Sequence, residues 1–89
     1  MTSRRRVVIR GRVQGVSFRD TLRRRALVEG VAGWVRNNLD GSVEAVLEGD
    51  PAAVRRCVEL CRRGPRGAYV DSVEIEAEEP EGLRGFEIR

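Results

Sequence analysis

The sequence contains no histidine and no lysine, and its 17 basic residues are all arginine. These absences exclude imidazole acid–base catalysis, Schiff-base chemistry and histidine metal ligands. The only two cysteines, Cys57 and Cys61, are too few for a structural zinc site, and both fall on the apolar stripe of a predicted helix. We interpret them as buried, unreactive thiols, with a redox pair as the alternative. The sequence therefore predicts neither a metal nor a cofactor.

Long apolar runs are also missing. The chain has 89 residues, 40% hydrophobic and 35% charged, and no stretch approaches the length of about 20 apolar residues that crosses a bilayer. Near the N-terminus only Val7, Val8 and Ile9 form an apolar run, which is too short for a secretory signal. We therefore expect a single domain over residues 1–89, monomeric and cytoplasmic, with no membrane partner.

Charge is distributed unevenly along the chain. Residues 1–36 carry ten arginines against Asp20 and Glu29, whereas residues 68–89 carry two arginines against seven acidic residues. A basic front half attracts an anion, either a phosphorylated metabolite or a nucleic-acid backbone. We interpret the run Arg4 to Arg6 as a solvated, frayed start of the chain.

Hydrophobic periodicity predicts the order of the secondary structure. Strands are expected at residues 5–10, 31–37, 42–48 and 73–78, with a short extra strand at 86–88. Helices are expected from Phe18 to before Gly30 and from Pro51 to before Gly64. Right-handed crossovers in a β-α-β-β-α-β order place both helices on one face of a mostly antiparallel sheet. The prediction is an α+β ferredoxin-like two-layer sandwich with an extra C-terminal strand, whose open face carries Glu74, Glu76 and Glu78 as a solvated row.

The loop between the first strand and the first helix can bind an anion. Gly15 allows the backbone to curl so that successive amides converge, and the following helix adds its unpaired donors. Arg19 offers a permanently ionised, forked donor beside them. Glycine spacing alone favours a structural turn over a phosphate site, because it matches neither of the common phosphate-loop motifs, but the basic half of the chain surrounds this loop and supports anion binding.

Asn37 lies at the end of the second predicted strand, just before the turn that contains Asp40 and Gly41. Its carboxamide can either cap that turn or hold a water through its donor and acceptor together. In the predicted strand order, the end of this strand approaches the loop at Gly15. We also treat the flanking Arg12 and Arg36 as surface charges, with steering of an anion as the alternative.

Two segments resemble the signatures of a known family. Ile9 to Arg19, IRGRVQGVSFR, resembles the first signature of the acylphosphatases, and Gly33 to Val43, GWVRNNLDGSV, resembles the second. The resemblance implies a ferredoxin-like fold and metal-free hydrolysis of small acyl phosphates. It assigns Arg19 as the phosphate-binding arginine, Asn37 as the water-orienting asparagine, and Gly15, Val16, Ser17 and Phe18 as the phosphate-binding loop. Animal members often have an aromatic residue where this chain has Ser17, so the packing around the loop is expected to differ.

Two other functions fit the pattern less well. Single-stranded RNA readers share the element order, but they stack bases on aromatic residues of the sheet, and this chain has few aromatics and a row of glutamates there. We therefore expect no nucleic-acid partner. Acylphosphatase-like domains also stand at the head of large carbamoyl-transfer proteins, and the absence of zinc-binding cysteines favours a free-standing enzyme instead.

Overall fold

The computed structural model describes residues 1–89, and its elements follow the predicted order. They are β1 (Ser3–Arg12), α1 (Phe18–Glu29), β2 (Ala32–Asn37), β3 (Val43–Gly49), α2 (Pro51–Arg63), β4 (Tyr69–Glu78) and β5 (Phe86–Ile88). The strands form one sheet in the order β4-β1-β3-β2-β5. Only β5 runs parallel to its neighbour, β2. The predicted α+β ferredoxin-like sandwich with an extra C-terminal strand is confirmed.

Strand β1, which lies between β4 and β3, is longer at both ends than its periodicity predicts. It pairs with β3 from Ser3, opposite Gly49, and with β4 as far as Arg12, opposite Tyr69. These ladders satisfy backbone groups of residues whose side chains show no alternation. Only the short loop of residues 13–17 therefore separates the end of β1 from the start of α1.

Both helices begin or end at the capping residues that the sequence contains. Asp50 precedes α2 and accepts hydrogen bonds from the amides of Ala52 and Ala53, an N-cap that typically contributes about 1 kcal/mol. Gly30 ends α1 in the left-handed conformation, with φ of 72°. Neither helix is long and apolar enough to span a membrane.

The hydrophobic core lies between the helices and one face of the sheet. Helix α1 contributes its predicted stripe of Phe18, Leu22 and Ala26, which are at most 3% exposed. The stripe of α2 includes Cys57 and Cys61, which are buried and not disulfide-bonded. Burial raises the pKa of Cys57 to about 11, and it also raises the pKa of Cys61. Both thiols therefore stay protonated at neutral pH, as expected of unreactive cysteines.

The opposite face of the sheet neutralises much of the basic N-terminal segment. Because β1 lies between β3 and β4, Arg6 of β1 reaches Glu44 and Glu78, and Arg4 reaches Glu78 at 2.9 Å. The prediction that Arg4 to Arg6 form a solvated, frayed start is wrong, since all three lie in β1 and Arg4 is only 4% exposed. Its partners are far away in sequence, which is why the charge run alone suggested a solvated segment.

Two glutamates of β4 form ion pairs with arginines of β1, in addition to keeping this face of the sheet hydrophilic. Glu74 accepts a hydrogen bond from Arg10 at 2.9 Å, and Glu78 is half-buried between its two arginines. The pKa of Glu78 is lowered because Arg6 and Arg4 donate hydrogen bonds to it. The acidic C-terminal part and the basic N-terminal part of the chain therefore meet on one surface.

The only tryptophan, Trp34, is buried on this same face. The guanidinium groups of Arg6, Arg36 and Arg89 lie 5.6, 5.0 and 4.8 Å from its ring centroid. These cation–π contacts cover the ring and leave the residue 6% exposed. An aromatic platform for stacking nucleobases is therefore not available at Trp34.

Candidate active site

The loop between β1 and α1, residues 13–17, follows a bulge in the sheet. The β1–β4 register shifts between Arg10 and Gly11. Gly11 has φ of +131°, and a Cβ atom there would lie 2.2 Å from the carbonyl oxygen of Tyr69. Only glycine fits this position, and the bulge shifts the register so that Gly11 and Arg12 still pair with β4 before the loop begins.

Backbone amides accumulate in the loop without acceptors. Gly15 and Ser17 both have left-handed backbones, with φ of 76° and 63°. The first backbone bond of the helix runs from Thr21 to the carbonyl of Ser17, and the amides from Gly15 to Asp20 donate no hydrogen bond within the chain. Such a run of free donors at a helix N-terminus is a site for a phosphate or another anion.

Ser17 contributes to the loop through its backbone. Its side chain makes no capping hydrogen bond, and it is exposed. Ser17 is the only residue other than glycine with positive φ. A left-handed conformation of this kind costs about 1 kcal/mol or more and is typical of functional loops. Having serine rather than an aromatic residue at position 17 therefore leaves the array of backbone amides unchanged.

Arg19 is distinguished from most other arginines near the N-terminus by having no partner. It lies in the first turn of α1, is half-buried, and forms no ion pair or side-chain hydrogen bond. The next acidic residue, Asp20, is instead held by Arg24, whose Nε donates to Asp20 Oδ2 at 3.1 Å. The guanidinium of Arg19 is therefore free to bind an anion at the loop.

Asn37 ends β2 on the face that carries the helices. Its residue is half-buried, and its side-chain oxygen Oδ1 is buried without a hydrogen-bond partner. Asn38, the next residue, makes the turn contacts instead, since its Nδ2 donates to Ser42 Oγ at 3.0 Å. A buried polar atom without a partner is rare in folded proteins, and Asn37 Oδ1 is one of two such atoms in this chain, the other being a guanidinium nitrogen of Arg4. The capping alternative for Asn37 therefore finds no support in its contacts.

A cavity of about 370 Å³ brings most of the predicted site residues together. Its lining includes Gly15, Ser17, Phe18, Arg19 and Asn37. Val16 does not line it, because its side chain packs against the hydrophobic core. The backbone amide of Val16 remains available, so its predicted role as part of the loop does not depend on its side chain.

Other residues of this region were not predicted from the sequence. Val13, Asp20 and Ile88 also line the cavity. Ile88 reaches it because β5 pairs with β2 opposite Val35, which the alternation of residues 86–88 alone does not reveal. Gln14 was also missed, although it stands next to Gly15 and its side-chain amide joins the loop to the turn after Asn37.

The flanking arginines have different surroundings. Arg36 donates to Asn38 Oδ1 at 3.2 Å and pairs with Glu44 at 3.0 Å, on the face of the sheet away from the cavity. It acts there as a paired surface charge and covers Trp34. Arg12 is exposed and has no ion pair, beside Tyr69 and Asp71.

Comparisons with known proteins agree on one family. The sequence model of the acylphosphatase family matches residues 5–88. An acylphosphatase of Haloarcula marismortui is 54% identical over 87 residues, which cover 98% of this chain and 96% of that protein. One of Rubrobacter xylanophilus is 57% identical over 90 residues, covering 99% of this chain and 81% of that protein. The crystal structure of the acylphosphatase from Bacillus subtilis matches with a TM-score of 0.94 at 34% identity, over 100% of this chain and 99% of that one.

The fold and the cavity define a small α+β protein whose β1–α1 loop can receive a tetrahedral anion. The matches above place it more narrowly: the chain belongs to the acylphosphatase family. It is a hydrolase that cleaves the carboxyl-phosphate bond of small acyl phosphates and releases a carboxylate and inorganic phosphate. The resemblance of the two sequence segments to this family is thereby confirmed.

Proposed function

We propose that the free amides of the β1–α1 loop and the guanidinium of Arg19 bind the phosphoryl group, and that Asn37 holds the attacking water. The observation that carries this proposal is the buried, unpartnered Oδ1 of Asn37 in the same cavity as an arginine without a partner. Polar groups in folded proteins are rarely left this way unless a ligand or a water satisfies them. Asn37 Oδ1 and the half-buried, unpaired guanidinium of Arg19 lie in one cavity beside a run of free amides, which favours a shared ligand.

In this mechanism the loop amides stabilise the negative charge that develops on the phosphoryl oxygens in the transition state. The phosphoryl group passes through a loose transition state with charge on its three oxygens, and fixed donors in a sheltered cavity stabilise that charge. The amides of Gly15, Val16, Ser17 and Phe18 are fixed by backbone geometry before substrate arrives. Arg19 adds a full positive charge, which needs no proton transfer to act.

The carboxylate of an acyl phosphate is a good leaving group, so no strong general acid is required. Asn37 would accept a hydrogen bond from the water through Oδ1 and orient its lone pair along the line of attack. The chain has no histidine, and we propose that a phosphoryl oxygen of the substrate takes the proton of the water. The rate is then expected to show no ionisation that belongs to a protein side chain.

One assay and one structure test the proposal. Phosphate release from acetyl phosphate should proceed at the same rate with and without a chelator, because every proposed contact is made by the protein. A crystal soaked with orthovanadate should place the anion on the loop amides and Arg19, with one apical oxygen at Asn37. Dependence on an added metal, or an anion bound elsewhere, would contradict the assignment.

We further propose that the enzyme works as a cytoplasmic monomer. The charged residues of edge strand β4 and the short length of the other edge strand, β5, disfavour pairing with a second copy. The unpaired cysteines are consistent with a reducing compartment. Sedimentation equilibrium measures the first property, and fractionation of the source cells measures the second.

A further inference from the structure

Gln14 joins the two halves of the candidate site. It precedes Gly15 in the β1–α1 loop, and its Nε2 donates to the carbonyl oxygens of Asn38 at 2.8 Å and of Ser42 at 3.0 Å. Those carbonyls belong to the turn between β2 and β3, residues 38–42, which begins immediately after Asn37. A single side-chain amide therefore connects the backbone that offers donors with the backbone that carries Asn37.

These two hydrogen bonds are the only ones that tie residues 13–16 to the rest of the chain. Val13 and Val16 hold the loop to the core by apolar contacts. These apolar contacts anchor the loop in the core, but they are not directional and do not join it to the turn. Hydrogen bonds have a narrow range of distance and angle, so Gln14 is the element that fixes the loop relative to the turn.

The two bonds are not needed to satisfy the carbonyls that accept them. The carbonyl of Ser42 already accepts from the amide of Asn38 at 2.8 Å, and the carbonyl of Asn38 accepts from the amide of Gly41 at 3.1 Å. Removing Gln14 therefore leaves neither carbonyl without a donor, and the large penalty for an orphaned buried group does not arise. The turn also keeps its own bond from the Ser42 amide to Asp40 Oδ1 at 3.0 Å.

From this geometry we infer that Gln14 is a positioning residue, which sets the distance between the phosphate-binding loop and the water held by Asn37. The inference rests on the roles proposed above for the loop and Asn37. In-line attack requires the nucleophile and the phosphorus to meet at a defined distance, and misplacement by about 1 Å can lower a rate by as much as roughly a hundredfold. Phosphate binding depends on the loop amides and on Arg19 in the first turn of α1, and it does not require Asn37, so it should be almost independent of Gln14.

The test replaces Gln14 with methionine, which preserves length and approximate volume but has no donor. In Gln14→Met, kcat should fall by roughly tenfold or more, while competitive inhibition by inorganic phosphate should change by less than about twofold. Gln14→Glu, which places an acceptor against two carbonyl oxygens, should be slower still. Asp50→Ala is the matched control, because it also removes two side-chain-to-backbone bonds but lies outside the cavity; its kcat should stay at the wild-type value.

A double-mutant cycle separates this inference from the proposed function. If Gln14 acts through Asn37, Gln14→Met should lower kcat no further in an Asn37→Ala background. Wild-type kcat in Gln14→Met, additive losses in the double variant, or phosphate inhibition that weakens in parallel with kcat would each overturn the inference. Wild-type rates in Asn37→Ala or Arg19→Ala would instead overturn the proposed function itself. Circular dichroism at the assay temperature shows that each variant compared is folded.

Discussion

Replacing Arg19 with alanine tests the most specific part of the proposed mechanism. In the free protein this side chain makes no ion pair and no hydrogen bond, although it is half-buried at the edge of the cavity. Its truncation therefore costs little folding free energy, within about 0.5 kcal/mol. If the guanidinium stabilises charge in the transition state, its loss should cost about 3 to 4 kcal/mol, a fall in kcat/KM of roughly 100- to 1,000-fold.

The assay measures phosphate release from acetyl phosphate at fixed ionic strength, together with inhibition by phosphate. Arg55→Ala is the control, since Arg55 is an exposed arginine on α2 without an ion pair and its loss changes net charge equally. That control should retain activity within about twofold, because a distant charge contributes only screened attraction. A folded Arg19→Ala variant with kcat/KM within a few-fold of wild type, or a loss matched by Arg55→Ala, would refute the reasoning.

Three further outcomes follow from the same geometry. Asn37→Ala should lower kcat by roughly 100-fold while phosphate inhibition changes little, because its proposed partner is the water; equal loss of both would contradict this. Ser17→Gly should raise the free energy of unfolding by up to about 1 kcal/mol, measured by urea denaturation, and keep its activity, because glycine relieves the left-handed backbone and retains the amide. Hydrogen bonds from the Ser42 hydroxyl and amide and from Arg10 lower the pKa of Asp40 from 3.8 to about 2, so its contribution to stability is complete above pH 3.8 and is lost as the pH falls towards 2. Asp40→Asn should reduce that acid dependence, and an unchanged pH profile would show that the turn does not depend on this carboxylate.

The elements of the fold could be predicted because each is defined by local patterns. The stripe of α1, its end at Gly30 and the start of α2 after Asp50 all depend on residues within a few positions of one another. Strand ends were less predictable, since β4 begins at Tyr69 through pairing with Arg12. Residues 69–72 show no clear alternation, so only the partner strand defines that end.

The parts of the candidate site that are formed by residues adjacent in sequence could be predicted. The parts that depend on contacts between residues far apart in sequence could not. Gly15, Ser17 and Arg19 lie together in sequence, so a loop with free amides and an arginine was foreseeable. The burial of Arg4 depends on Glu48 and Glu78, and the role inferred for Gln14 depends on the turn at Asn38. Such long-range polar contacts have no periodicity, and only the folded chain reveals them.

The position of Trp34 makes its fluorescence a reporter of the open face of the sheet and not of the cavity. Residues alternate across β2, so Trp34 lies under its three arginines on one face while Asn37 points to the other. Its fluorescence should respond when the sheet opens and the guanidinium groups leave the ring. Phosphate in the cavity would lie on the other face of the sheet, so we expect tryptophan emission to change little on binding, and calorimetry or kinetics is the better way to follow the ligand.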